Sequence, residues 1–262
     1  QRQMCIRDRS WGHLGSKMAP RSKKPPKINF CGPLWGGMLG PKISKNHIGA
    51  MARLYDLSKS SEIHPLIAKS ASLVASIMIR RSATLGGNIC LDTRCFWFNQ
   101  SEEWRESIDY CHKCDCGTGA DCRVIPNQNT LCVATYQADL APVLMCLGTT
   151  IHLASPEGKR SFPMHDFFKL DGITKNILLE DELVTHITLP NDISDWEGDY
   201  QKLTQRDSWD FPEAGVAVSW KKGITGPVDI RVATTGIEPI DTTIKKLLKI
   251  LYLVRVLVCI PE

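Results

Sequence analysis

Hydrophobic positions along the 262-residue chain fall into short groups with different spacings. In HPLIAKSASLVASIMIRRS, residues Leu66, Ile67, Ser70, Leu73, Val74, Ile77 and Met78 recur at the intervals that place side chains on one helical stripe. One amphipathic helix is expected there. HIGAMARLYDL before it reads as a short strand leading to a helix start, and ATLGGN after it as a turn that ends the helix. DLAPVLMCLG predicts an apolar helix, TTIHLAS a strand, and SPEGKR a hairpin turn. ELVTHITLP, YQKLTQR, GVAVSWKKG and DIRVATTGIEP alternate like strands, and their closely spaced turns predict an antiparallel sheet. Helices and strands do not alternate regularly, so the predicted class is α+β rather than doubly wound. The polar, turn-rich LPNDISDWEGD at 189–199 is the expected linker. It divides the ordered chain into 46–192 and 193–262.

Charge changes the picture at one end. Residues 1–45 carry ten Lys and Arg against a single acid, Asp8, whereas the remainder has 22 basic and 27 acidic residues. The basic character belongs to a Gly-, Pro- and Lys-rich segment without steady period, expected to be non-native or disordered. Its opening, QRQMCIRDR, reads as translated adapter sequence and is excluded from fold reasoning. The body has no basic face of the kind nucleic acid requires. The most apolar run, 247–260, is interrupted by Lys249 and Arg255 and is shorter than the ~20 residues a membrane-spanning helix needs.

Eleven cysteines are many for a chain whose start has no apolar export segment. A cytoplasmic location is expected, where disulfides are rare and clustered thiols read first as metal ligands. Cys95, Cys111, Cys114, Cys116, Cys122 and Cys132 all fall in the excursion 95–132. A loop of that length needs an organiser, and its polar, Gly-bearing interior supplies no apolar core. Three readings stand side by side: a [4Fe–4S] cluster on four thiolates, structural zinc on Cys111, Cys114, Cys116, Cys122 or His112, and partly buried free thiols. Gly86 and Gly87 in TLGGN add a turn whose backbone can approach a pyrophosphate, with amides that face the anion.

Together, IRRSATLGGNIC, RCFWFNQSEEWRESIDYC and CVATYQADLAPVLMCLG resemble one family, with DELVTHITLP and YQKLTQRDSWDFPEAGVAV extending the match over about residues 47–240. It is the FAD-binding middle subunit of the xanthine dehydrogenase and carbon monoxide dehydrogenase class of molybdenum enzymes. The cysteine loop is similar to that of the 4-hydroxybenzoyl-CoA reductase branch, which carries an added [4Fe–4S] cluster. The resemblance implies a PCMH-type FAD-binding lobe followed by part of a C-terminal flavoprotein domain. It puts the second pyrophosphate-binding turn on Thr84, Leu85, Gly86, Gly87 and Asn88. Asp139 falls near the ribityl and diphosphate region, and Lys202 near the isoalloxazine ring, where a cation favours an anionic reduced flavin. Cys95, Cys111, Cys122 and Cys132 match the cluster ligands. The 111–122 interval is three residues longer than in that branch, and Cys114 and Cys116 are the substitutes for the third position. Cys90 and Cys146 are expected as core thiols.

The family's first Gly-rich pyrophosphate loop has no counterpart. CGPLWGGMLG has the wrong order of residues, so the chain is expected to be a fragment. The implied activity is electron relay between an external partner such as ferredoxin and two further subunits, a small [2Fe–2S] subunit and a large molybdenum–pterin subunit that holds the substrate. A flavin subunit with a structural zinc loop and a non-enzymatic scaffold are the alternatives.

Overall fold

The computed structural model describes residues 40–113, 122–127, 131–206, 209–224 and 226–237, and the backbone of 242–243. Cys114, Cys116 and the apolar run 247–260 lie outside these residues; of the segment 1–45 expected to be non-native or disordered, residues 1–39 lie outside and Ile43–Ser44 form a strand. The strands are β1 (Ile43–Ser44), β2 (His47–Gly49), β3 (Thr150–Ser155), β4 (Gly158–Pro163), β5 (Leu183–Thr188), β6 (Trp196–Leu203), β7 (Ala214–Gly223), β8 (Gly226–Thr235) and β9 (Thr242–Thr243). The helices are α1 (Leu54–Lys59), α2 (Pro65–Leu73), α3 (Ile77–Ser82), α4 (Leu85–Ile89), α5 (Glu102–Ser107), α6 (Leu140–Cys146) and α7 (Met164–Phe167).

Every pairing is antiparallel. One sheet has the order β1-β2-β5-β3-β4, the other β6-β7-β8-β9, so the α+β expectation holds. The hairpin expected at SPEGKR closes with Ser155 opposite Gly158. All seven side chains of α6 are buried. A helix apolar on every side must be surrounded, and α6 packs against β7, β8, α2 and α4. Ser219 Oγ donates to Cys146 O at 2.9 Å, and Cys146 Sγ donates to Ala217 O at 3.3 Å. One apolar cluster takes residues from both sheets, including Ile48, Ile187, Tyr200 and Ala217. The segment 189–199 adds Leu189, Ile193 and Trp196 to it, despite its polar composition.

The single amphipathic helix expected over residues 64–82 is two helices. α2 ends at Leu73, Ala75 takes φ 37°, and Ser76 caps α3 by accepting Ile79 N–H at 3.4 Å. Two cations hold the break. Arg80 Nη1 donates to Val74 O at 2.6 Å and Ala75 O at 2.5 Å, and Lys202 Nζ donates to Leu73 O at 3.0 Å. Carbonyls at a helix C-terminus lack intrahelical partners, and cations there are favoured. The stripe therefore splits. Leu66, Ile67 and Ser70 are buried, whereas Ile77 and Met78 are 52% and 72% exposed. ATLGGN likewise opens a helix rather than closing one, because Thr84 Oγ1 accepts Gly87 N–H at 3.2 Å and caps α4.

Three histidines stack across the middle strands of the first sheet. His186 of β5 lies between His152 of β3, at 4.1 Å between ring centroids, and His47 of β2, at 4.5 Å. Burial, followed by the neighbouring His152, His47 and Lys159, lowers the His186 pKa from 6.5 to about 4. A histidine whose folded pKa is depressed stabilises the fold above its unfolded pKa, and that contribution is lost as pH falls. Thermal stability should therefore decline between pH 6.5 and about 4, and His186→Phe, which keeps a ring in the stack, should flatten the decline. Equal slopes of Tm against pH for the two proteins would rule this out.

Candidate functional site

The turn at 84–88 is anchored on its neighbours. Leu85 N–H donates to Ala52 O at 2.9 Å, Gly86 N–H to Ala50 O at 2.9 Å, and Asn88 N–H to Thr84 O at 3.0 Å. With the Thr84 cap on Gly87, the amides of Leu85, Gly86, Gly87 and Asn88 are engaged within the chain. The two glycines differ in what they face. A Cβ on Gly86 would lie 3.0 Å from Ala50 Cβ, so that residue is small to let α4 approach the segment after β2. Among the described residues, a Cβ on Gly87 would meet the Thr84 hydroxyl, at 3.2 Å. This position leaves the backbone open to close approach.

Asn88 ties the turn to the start of α6, where its Oδ1 accepts Leu140 N–H at 3.3 Å. The preceding residue is Asp139, 3% exposed. Its carboxylate accepts from Tyr200 Oη at 2.9 Å and Lys202 Nζ at 3.1 Å, and its backbone oxygen accepts from Ser70 Oγ at 2.8 Å. Burial pushes the Asp139 carboxyl above its ordinary range, against the pull of Lys202 and Tyr200. Lys202 is thus a buried, paired residue rather than an isolated cation. The structure brings Thr84, Leu85, Gly86, Gly87, Asn88, Asp139 and Lys202 into one connected region.

The cysteines gather at a second place. Cys95, Cys111, Cys122 and Cys132 line a single cavity together with His112 and Lys113. Cys111, Cys122 and Cys132 are buried, and Cys95 is half-buried. Each is placed by neighbouring backbone. Asn99 Oδ1 accepts Cys95 N–H at 3.1 Å. Asp109 and Tyr110, at φ 59° and 54°, turn the chain into Cys111. Arg123, next to Cys122, fixes that turn by donating from Nε to Tyr110 O at 3.0 Å. Cys132 N–H donates to Asp171 Oδ1 at 3.0 Å, and Cys132 O accepts from Gly172 N–H at 2.7 Å. Gly172 must lack a side chain, since a Cβ there would lie 2.7 Å from Cys132 Sγ. Burial raises the Cys132 thiol pKa, while the Ala134 amide and Lys113 oppose the rise. Among the described residues no disulfide joins these cysteines, and no three or more His, Cys, Asp or Glu side chains form a group that could hold a metal ion. Cys146 is the expected core thiol, whereas Cys90 is only half-buried.

Residues 42–192 match the family model for the FAD binding domain in molybdopterin dehydrogenase. The chain belongs to this family. Its relatives include the aldehyde oxidoreductase FAD-binding subunit PaoB of Escherichia coli (strain K12), 28% identical over 204 residues, covering 72% of this chain and 61% of the relative. A 105-residue stretch is 33% identical to aldehyde oxidase 4 of Cavia porcellus, covering 39% of this chain and 8% of that protein. Among solved structures, a carbon monoxide dehydrogenase from Hydrogenophaga pseudoflava superposes with a TM-score of 0.56 at 21% identity, over 81% of this chain and 60% of its own. Quinoline 2-oxidoreductase from Pseudomonas putida 86 gives 0.55 at 18%, over 80% and 59%. The structural likenesses show the shared fold. The chain spans about three fifths of the length of PaoB.

The partners of the candidate residues are not all legible from sequence. Tyr200 is two residues from Lys202 on β6, and strand alternation puts both on one face. That signal was available. Asp92, Lys113 and Lys175 meet from positions 21 and 83 residues apart, and no local pattern announces them.

Breaking a buried ion pair from one side strands the other charge, at a cost of about 3–5 kcal/mol. Lys202→Met should destabilise the protein by about that amount in urea denaturation. Tyr200→Phe, which removes one donor to the carboxylate and leaves the ion pair, should cost less, about 1.5–3 kcal/mol. Equal losses from the two variants would show that the pair is not the governing interaction.

Proposed function

We propose that this chain is the FAD-binding, iron–sulfur electron-transfer subunit of a molybdenum-containing oxidoreductase, similar to the β subunit of 4-hydroxybenzoyl-CoA reductase. The observation that carries this reading is the lining of one cavity by Cys95, Cys111, Cys122 and Cys132 in a domain that belongs to a flavin-binding family. The four thiols line one cavity, and among the described residues no three His, Cys, Asp or Glu side chains are grouped closely enough to hold a metal ion. The choice of a [4Fe–4S] cluster over structural zinc rests on the resemblance of the loop to that branch of the family. The domain division at 46–192 and 193–262 belongs to the same reading, with 95–132 as the cluster-bearing excursion.

FAD, when bound, supplies exchange of one or two electrons, and the protein supplies position and electrostatics. Gly87 lets the backbone of the 84–88 turn come close to a diphosphate. The amides of that turn are already bonded to Ala50, Ala52 and Thr84, so a diphosphate there needs further donors for tight binding. Lys202 and Asp139 present a buried pair with no net charge while both are ionised. A proton held by Asp139 leaves the Lys202 cation uncompensated, which favours an anionic group nearby. In this reading electrons pass to a small [2Fe–2S] subunit and a large molybdenum–pterin subunit, and an external carrier such as ferredoxin is the donor. The organic substrate is handled elsewhere in the assembly.

The full chain, prepared without oxygen, should contain flavin, iron and acid-labile sulfide, with a broad visible absorbance that bleaches on reduction. Cys111→Ala should lose the iron and sulfide and keep the flavin. Zinc in place of iron would favour the structural-zinc alternative, and a colourless preparation would favour a scaffold; either result removes the iron–sulfur reading.

A further inference from the structure

The surface of the cysteine excursion carries a group of aromatic rings. Phe96, Trp97 and Trp104 each touch the other two, with ring centroids 5.8 Å apart for Phe96 and Trp97, 6.0 Å for Phe96 and Trp104, and 5.8 Å for Trp97 and Trp104. Phe96 is 69% exposed, and the two tryptophans are half-buried. Local bonds hold the rings in place. Gln100 Nε2 donates to Phe96 O at 3.0 Å, Ser101 Oγ accepts Trp104 N–H at 3.3 Å, and Ser107 Oγ donates to Trp104 O at 2.7 Å. Exposed apolar groups rimmed by polar residues mark interaction sites, and aromatic side chains are enriched at the centres of protein–protein interfaces.

The charges beside these rings sort by sign. Glu102, Glu103, Glu106 and Asp109 are all exposed. The bases of the same stretch turn inward. Arg105 is 7% exposed and lies 5.2 Å from the centre of the Phe98 ring, and Lys113 is 8% exposed and lies 4.8 Å from the same ring. Arg123 donates to the backbone oxygens of Ile108 and Tyr110. Residues 114–121 lie outside the described residues, and their sequence adds two further acids, Asp115 and Asp121, and no Lys or Arg. The whole excursion 95–132 thus has six acids against Arg105, Lys113 and Arg123. Its accessible charge is negative.

We propose that Phe96, Trp97 and Trp104, with the acids of α5 beside them, form a docking face for a basic protein partner, one that presents an apolar centre edged by Lys and Arg. Opposite charges at the edge steer the encounter and fix its register, while burial of the rings supplies affinity. An acidic protein, a nucleic acid or an anionic membrane meets repulsion at the same place. The inference concerns the outside of the excursion and does not depend on what the cysteines hold.

The test uses the full chain prepared without oxygen, with cytochrome c as a lysine-rich probe and ferredoxin as an acidic one. Binding is read by isothermal titration calorimetry at about 20 mM and about 300 mM salt. Cytochrome c should bind at low salt and weaken about tenfold at high salt, and ferredoxin should not bind. Glu102→Lys combined with Glu106→Lys should weaken cytochrome c binding about tenfold. Glu157→Lys combined with Glu180→Lys, the same change in net charge at exposed acids elsewhere, should leave it unchanged. Phe96→Ser should weaken binding about tenfold with no loss of thermal stability, because its ring is largely in solvent. Equal losses from the two charge-reversed pairs would reduce the effect to net charge and overturn the proposal. Failure of cytochrome c to bind, tighter binding of ferredoxin, or unchanged binding by Phe96→Ser would overturn it as well.

Discussion

A buried carboxylate, Asp139, is the point on which the flavin-domain side of the molecule is assembled. Its backbone oxygen holds Ser70 of α2, and its side chain holds Tyr200 and Lys202 of β6. The same lysine reaches on to Leu73 O at the end of α2, and the residue after Asp139 accepts the tether from Asn88 of α4. An ionised group in so apolar a setting is tolerable only when its acceptor sites are satisfied. That requirement fixes how α2, α4, α6 and β6 sit. The break between α2 and α3 follows from it, since the lysine that neutralises Asp139 also takes one of the freed helix carbonyls.

The cysteine excursion obeys a different rule. It packs Phe96, Trp97 and Trp104 on one another, and polar and cationic contacts tie it to the domain beneath it. Arg123 secures the turn before Cys111, Asp171 receives the Cys132 amide, and Lys113 reaches the backbone and side chain of Thr93. These contacts leave four thiols facing a common space without a disulfide among them. Such a loop depends on fixed charges. Lys113 and Lys175 meet on one carboxylate, Asp92, a set of charges that an apolar core would never carry.

Much of the architecture was legible from residue patterns. The alternation in β5 to β8, the hairpin after TTIHLAS and the apolar run of α6 are local signals that burial reinforces. They determined the α+β class and the antiparallel sheets. The gathering of Cys95, Cys111, Cys122 and Cys132 was also legible, but through the resemblance of the loop to a known family, because spacing alone left iron, zinc and free thiols open. Where local pattern misled, a tertiary partner intervened. The helical stripe over 64–82 has consistent periodicity, yet Arg80 and Lys202 reward a break that no periodicity describes. The Gly-Gly turn looked like a bare row of amides, but Ala50, Ala52 and Thr84 occupy them.

By itself, then, the sequence determined most of the strands, the apolar helix α6, the family to which they belong, and the residue types able to carry chemistry, because propensity, periodicity and motif are written over a few neighbouring positions. Only the tertiary structure decided the charge state of the neighbourhoods. It paired Lys202 with Asp139 and set Lys113 and Lys175 against one carboxylate. Those pairings join residues tens of positions apart, and electrostatic energy depends on distance and burial in the folded molecule, which no local stretch of sequence contains.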